Sequence, residues 1–158
     1  MKAVCIIGGT GRGKSTVVKE LLSKYKGSAI VYDVNNEYYQ SEKYTLPEVD
    51  EFINYVENKH NSLIVFEEAT AFFKHGNRFN TLEKMLIRKR HNKQYFIFVF
   101  HALHKVPADI LDYIDTFVLF KTNENAELIR NKFKSDKRVL EAYNEVKNSP
   151  DFHYKKIF

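Results

Sequence analysis

Short apolar runs alternate along the chain with stretches whose apolar positions recur every three or four residues. Ala3 to Ile7 is a β-branched run that ends at Gly8, the pattern of a buried strand. From Lys14 onward, Val17, Val18, Leu21, Leu22 and Tyr25 keep helical spacing, and Gly27 predicts the stop. Ala29 to Asp33 predicts a second strand, followed by a polar, Asn-rich loop. Thr45 and Glu48 form a capping-box pattern with Pro47 at an early helical position. Val49, Phe52, Ile53 and Val56 give that helix its apolar face. Leu63 to Phe66 predicts a third strand, and Leu82, Met85 and Leu86 place a helix between about Thr81 and His91. Tyr95 to Phe100 is the fourth and most apolar strand, and Thr116 to Phe120 the fifth. Ala126, Leu128, Ile129, Phe133, Val139, Leu140, Tyr143 and Val146 predict one or two terminal helices. From Ser149 the last ten residues show no clear period.

Strands that read as continuous apolar runs, separated by helices, imply a parallel sheet covered on both faces. The expected architecture is a three-layer α/β sandwich around a mostly parallel sheet of five strands or slightly more. The 158 residues predict one domain, with a core over 1–121 and a helical extension over 122–158. The single cysteine, Cys5, excludes an internal disulfide and a cysteine-based zinc site, and its place in the first strand reads as core. No apolar stretch approaches the roughly 18 residues of a membrane helix. The apolar part of the amino terminus is too short for a signal peptide, so the expectation is a soluble, intracellular protein. The net charge of +5 favours polyanionic partners, weakly.

In such sheets ligands sit beyond the carboxyl ends of the strands. After the first strand stands Gly8-Gly9-Thr10-Gly11-Arg12-Gly13-Lys14-Ser15, which fits G-x-x-x-x-G-K-[ST] between a strand and a helix. Glycines let backbone wrap around phosphates, and the loop amides and helix start supply positive dipole ends. Gly9, Thr10, Gly11, Arg12, Gly13, Lys14, Ser15 and Thr16 are the expected ATP-contacting stretch. The side chain of Arg12 is read as turned to solvent or to a neighbouring subunit. Lys14 is expected to reach the β and γ phosphates and Ser15 to bind Mg²⁺. The third strand ends in Glu67-Glu68, four apolar residues leading into two acids. The first is expected to orient Mg²⁺ through water, the second to polarise the attacking water.

The second strand runs into Asp33, a short polar link, and Glu37-Tyr38. Arg88-Lys89-Arg90-His91 precedes the fourth strand, and His101 and Val106-Pro107 follow it. Over Lys2 to Lys121, about three quarters of the chain, this series resembles the HerA/FtsK superfamily of ring-forming, DNA-pumping P-loop ATPases. Viral genome-packaging ATPases and Zot-like phage assembly ATPases belong to it. The resemblance implies a P-loop NTPase fold and an Mg²⁺-dependent, DNA-translocating ATPase working as a homo-oligomeric ring. It implies sequence-independent phosphate contacts to DNA, viral capsid or portal components as partners, and a place in the host cytoplasm or virion. Asp33 and Glu37 fall at nucleotide-site positions. His101 stands where a sensor Gln is usual, which makes that contact pH-dependent. An arginine finger would come from a neighbouring subunit, with Arg90 or Arg88 expected ahead of Arg78.

Lys84, Arg88 and Lys89 predict one basic helix face, and Lys132, Lys134, Lys137 and Arg138 a second basic cluster. His101 and His104 lack a third partner for a metal site. The alternative function is a small nucleoside or nucleotide kinase with Arg88-Lys89-Arg90 as its lid. The acidic pair argues against it, because a kinase needs no water-activating Glu. A further alternative is a nucleotide-dependent switch whose hydrolysis is too slow to drive work.

Overall fold

All five apolar runs form strands, within one residue of the expected bounds. The protein is seen in a computed structural model that describes residues 1–39, 41–45, 48–73, 76–133, 136–150 and 152–158. The elements are β1 (Ala3–Ile7), α1 (Lys14–Lys24), β2 (Ser28–Tyr32), β3 (Glu42–Tyr44), α2 (Val49–Glu57), β4 (Ser62–Phe66), α3 (Gly76–Arg88), β5 (Tyr95–Phe100), β6 (Thr116–Phe120), α4 (Ala126–Lys132), α5 (Lys137–Lys147) and β7 (Tyr154–Ile157). Short 3₁₀ turns lie at Ala69–Phe73, Leu103–Lys105 and Ala108–Tyr113. Ahead of α2, the Glu48 carboxylate accepts the Thr45 backbone N–H at 3.0 Å, the reach-back half of the capping box. Pro47, and Lys134 of the second basic cluster, lie outside the described residues.

The sheet has seven strands in the order β3-β2-β4-β5-β1-β6-β7. All neighbours are parallel except β7, which runs antiparallel to β6. The two strands absent from the sequence reading are the edges. β3 is three residues long, and β7 reads Tyr-Lys-Lys-Ile. An edge strand needs no continuous apolar run, and lysines there discourage pairing with other chains.

Strand alternation sorts the core into two layers. Phe96, Phe98 and Phe100 point to one face, where they meet Tyr32, Phe52, Phe66 and Phe72 under residues from α2 to α5. Phe66 stacks on Phe98 with centroids 4.8 Å apart and meets Phe72 edge-on, also at 4.8 Å. Ile97 and Val99 point to the other face, with Ile6, Val31 and Val118 under α1. The three-layer expectation therefore holds with unequal layers. Cys5 is fully buried, and burial pushes its thiol pKa up.

This topology decides which residues meet. β1 lies between β5 and β6, and β5 separates β1 from β4. The residues following β1, β4 and β5 converge on the carboxyl edge. α3 carries the chain back to the amino edge. There Lys89, one residue past the helix, turns inward: its Nζ donates to the Tyr113 carbonyl at 2.8 Å and the Asp115 carboxylate at 2.6 Å. The Ala3 N–H donates to that same carboxylate at 2.7 Å. Lys89 thus leaves the expected basic face and staples β1 to the segments before β5 and β6.

Candidate active site

The loop after β1 is anchored on both sides. The Gly8 N–H donates to the Phe100 carbonyl and the Gly9 N–H to the Lys121 carbonyl, each at 3.1 Å. A Cβ on Gly8 would lie 2.6 Å from the Phe120 Cβ, so only glycine fits there. Gly13 opens α1 with φ 91°, in the left-handed region. No side chain caps α1 and no acid stands in its first turn. By contrast, Asn125 caps α4 and Asp136 caps α5. The amides and positive dipole end of α1 are left for an anion from outside the chain.

Three side chains from different elements form one bonded line at this edge. Lys14 Nζ lies 2.9 Å from the Gly9 carbonyl and 3.2 Å from His101 Nδ1. An ammonium only donates, so Nδ1 accepts. His101 Nε2 then carries the hydrogen and donates to the Glu68 carboxylate. His101 reaches both because β5 is inserted between β1 and β4. Glu68 has φ 55°, an uncommon conformation for a non-glycine, which turns its side chain out of the strand line. Burial lowers the pKa of Lys14, and the charges of Glu67, Glu68 and Glu37 oppose that fall.

Glu67 is only 5% exposed, and its Oε2 has no hydrogen-bond partner among the described residues. Burial pushes its pKa up to about 7 against the pull of Lys14, with Glu37 and Glu68 adding to the rise. An orphaned, buried carboxylate oxygen beside Lys14 fits a hydrated Mg²⁺ carried in on nucleotide phosphates. Among the described residues no cluster of three His, Cys, Asp or Glu could hold a metal alone. A carboxyl whose folded pKa exceeds its unfolded value destabilises the fold once pH rises above the unfolded value. The cost grows from about pH 4.5 to about pH 7 and then stays level, at about 3 kcal/mol. Without metal or nucleotide, Glu67→Gln should therefore melt above wild type at pH 8, the gain fading toward pH 4.5. Melting curves in EDTA check this, and parallel pH profiles for the two proteins would refute it.

The remaining expected residues are placed as follows. Asp33 is fully buried, and its two oxygens accept the backbone N–H groups of Glu37 at 2.9 Å and Tyr38 at 3.0 Å. It delivers both residues to the site. Glu37 faces Lys19 at 3.9 Å. Tyr38, not singled out from the sequence beyond its pairing with Glu37, buries its hydroxyl beside Glu67 and Ser15. Ser15 is half-buried, and Thr10 and Thr16 are exposed at the mouth of the loop. Arg78 pairs with Asp50 through two contacts, at 2.5 and 2.8 Å. Arg88 and Arg90 are exposed at the amino edge, about 17 Å (one strand length) from the loop of their own chain.

His104 Nδ1 donates to the Glu124 carboxylate at 2.7 Å, so the two histidines engage different carboxylates. Glu124 also accepts the Leu103 and His104 backbone N–H groups at 2.6 and 2.7 Å. This carboxylate ties the segment behind His101 to the chain after β6; nothing local in the sequence marks it. Lys132 donates to the His104 carbonyl, and Arg138 binds Asp136 and the Phe158 carbonyl. Much of the second basic cluster is therefore engaged within the chain.

Residues 1–151 match the family model described as the type IV secretion-system coupling protein DNA-binding domain. The chain belongs to this family. Among curated protein sequences none matches this chain. Among solved structures, it is similar to the genome packaging NTPase B204 from Sulfolobus turreted icosahedral virus 2 in complex with ATP-gammaS. That match has 19% identity and a TM-score of 0.76, over 97% of this chain and 90% of the other. It is similar to EssC ATPases 2 and 3 from Geobacillus thermodenitrificans, at 10% identity and a TM-score of 0.66, over 86% of this chain and 35% of that one. The N-terminal domain of zonular occludens toxin from Neisseria meningitidis matches at 13% identity and a TM-score of 0.54, over 78% of each chain. The fold is thus that of the P-loop ATPases resembled by the sequence. Among the described residues no helix is long and apolar enough to cross a membrane.

Proposed function

We propose that this domain hydrolyses ATP with Mg²⁺ as one subunit of a homo-oligomeric ring, and that the cycle moves DNA. The observation that carries the proposal is the bonded line Lys14–His101–Glu68, which joins a phosphate-binding lysine to a carboxylate able to take a proton from water. Mg²⁺, held through Ser15 and Glu67 with the nucleotide, supplies positive charge to the phosphates. Lys14 exchanges the Gly9 carbonyl for phosphate oxygens. Glu68 accepts a proton from water as the water oxygen bonds to the γ-phosphorus. The bond from that phosphorus to the bridging oxygen breaks, leaving ADP and phosphate. His101 holds Glu68 toward that water while contacting Lys14.

The kinase reading loses its lid. Arg88-Lys89-Arg90 lies on the sheet edge opposite the phosphate loop, and Lys89 is bonded to Asp115. From that edge Arg88 or Arg90 can serve only the site of another copy, which supports a ring. DNA as partner is supported by the family, whose model describes a DNA-binding domain. Viral packaging is supported by the fold shared with the packaging NTPase. Capsid or portal partners and a place in the host cytoplasm or virion follow from that same reading.

The test is phosphate release from ATP with Mg²⁺ and no phosphoryl acceptor. The expected result is turnover that DNA accelerates, with specific activity rising with protein concentration as rings assemble. Arg90→Ala or Arg88→Ala should cut turnover by about 10³-fold or more if that residue is the finger. ADP formation that depends on AMP or a nucleoside would overturn the motor, and a concentration-independent rate from a monomer would remove the ring.

A further inference from the structure

Phe152 stands two residues before β7 with φ 69°, a conformation rare for a bulky aromatic residue. Its ring is 67% exposed, so burial does not explain it. Yet that ring reaches the phosphate loop: its Cδ1 lies 3.4 Å from the point a Cβ on Gly13 would occupy. The Phe120 ring lies 3.7 Å from that point, and Tyr154 packs on Phe120 with centroids 5.0 Å apart. Tyr154 belongs to the core layer under α1. The antiparallel pairing of Phe120 with Tyr154 is what brings Phe152 over the start of α1.

The line Lys14–His101–Glu68 sets the direction of a nucleotide in the loop. Its terminal phosphate lies on the β5 side, toward His101 and Glu68. The sugar and base must then leave across Gly13 and the start of α1, toward the side of β6 and β7. There the largely exposed ring of Phe152 lies beside Gly13. An exposed aromatic ring beside a phosphate loop is what a flat heterocycle stacks on. Gly13 has no side chain to lie between them.

We propose that Phe152 is the base platform of the nucleotide site, stacking the purine of a nucleoside di- or triphosphate. The inference rests on reading the Gly8–Ser15 loop as a nucleotide site. It adds the subsite for the base, supplied by a residue far along the chain from every phosphate-binding residue. Stacking reads ring area rather than hydrogen-bonding edges, so ADP and GDP should bind alike.

The experiment compares ADP with pyrophosphate, which carries the phosphates without the base, by calorimetric titration. Phe152→Ala should weaken ADP about tenfold and leave pyrophosphate unchanged. Phe152→Trp should keep ADP affinity. Because the chain has no tryptophan, it also installs a lone indole whose fluorescence ADP should quench and pyrophosphate should not. Phe152→Ala with wild-type affinity for ADP, or with equal losses for both ligands, overturns the platform. A wild-type protein that binds neither ligand overturns the nucleotide reading itself, an outcome separate from the first two.

Discussion

Lys14→Ala should abolish nucleotide binding at ordinary concentrations and reduce hydrolysis to background. The side chain is 6% exposed, and burial already works against its charge. That cost is offset by the Gly9 carbonyl, His101 and three nearby acids. A triphosphate brings stronger partners. Hydrogen bonds to charged groups contribute about 1.5–3 kcal/mol each, so two phosphate contacts amount to about 3–6 kcal/mol. Affinity should fall by about 10²–10⁴-fold, readable by titration with a fluorescent ADP. The variant also leaves Glu67 and Glu68 without their nearest cation, so its fold should be followed by circular dichroism. Normal binding in a folded Lys14→Ala protein would remove the phosphate-loop assignment.

Glu68→Gln should separate binding from chemistry. Glutamine matches the size of glutamate, and its carbonyl oxygen can still accept the His101 Nε2 hydrogen, so the loop geometry survives. What disappears is a base able to take the proton of the attacking water. Turnover should drop by about 10²–10⁴-fold, the usual contribution of a positioned general base. ADP affinity should stay within a few-fold of wild type, because Glu68 is not placed on the phosphates. Single-turnover hydrolysis beside ADP titration makes the comparison. Unchanged turnover would favour the nucleotide-dependent switch over the motor.

The core strands were legible because each is a continuous apolar run, the form taken by strands buried on both faces. Their aromatic residues pack in that core, Phe66 against Phe98 and Phe72. β3 and β7 were not legible, since an edge strand carries no such run. The helix expected from about Thr81 begins at Gly76, before its apolar spacing becomes regular. Lys89 misled for a related reason. Periodicity counted it with Lys84 and Arg88, but the helix ends at Arg88 and the next residue answers to Asp115.

Local order alone placed a glycine loop, a lysine and a hydroxyl between a strand and a helix, and two acids at the end of another strand. Those features are set by neighbours along the chain, and short segments carry them. Strand order decided the rest. Inserting β5 between β1 and β4 sets His101 between Lys14 and Glu68, and the return of α3 carries Arg88 and Arg90 to the far edge. The antiparallel β7 brings Phe152 to Gly13. Such meetings depend on pairing between distant segments, which no window of the sequence contains.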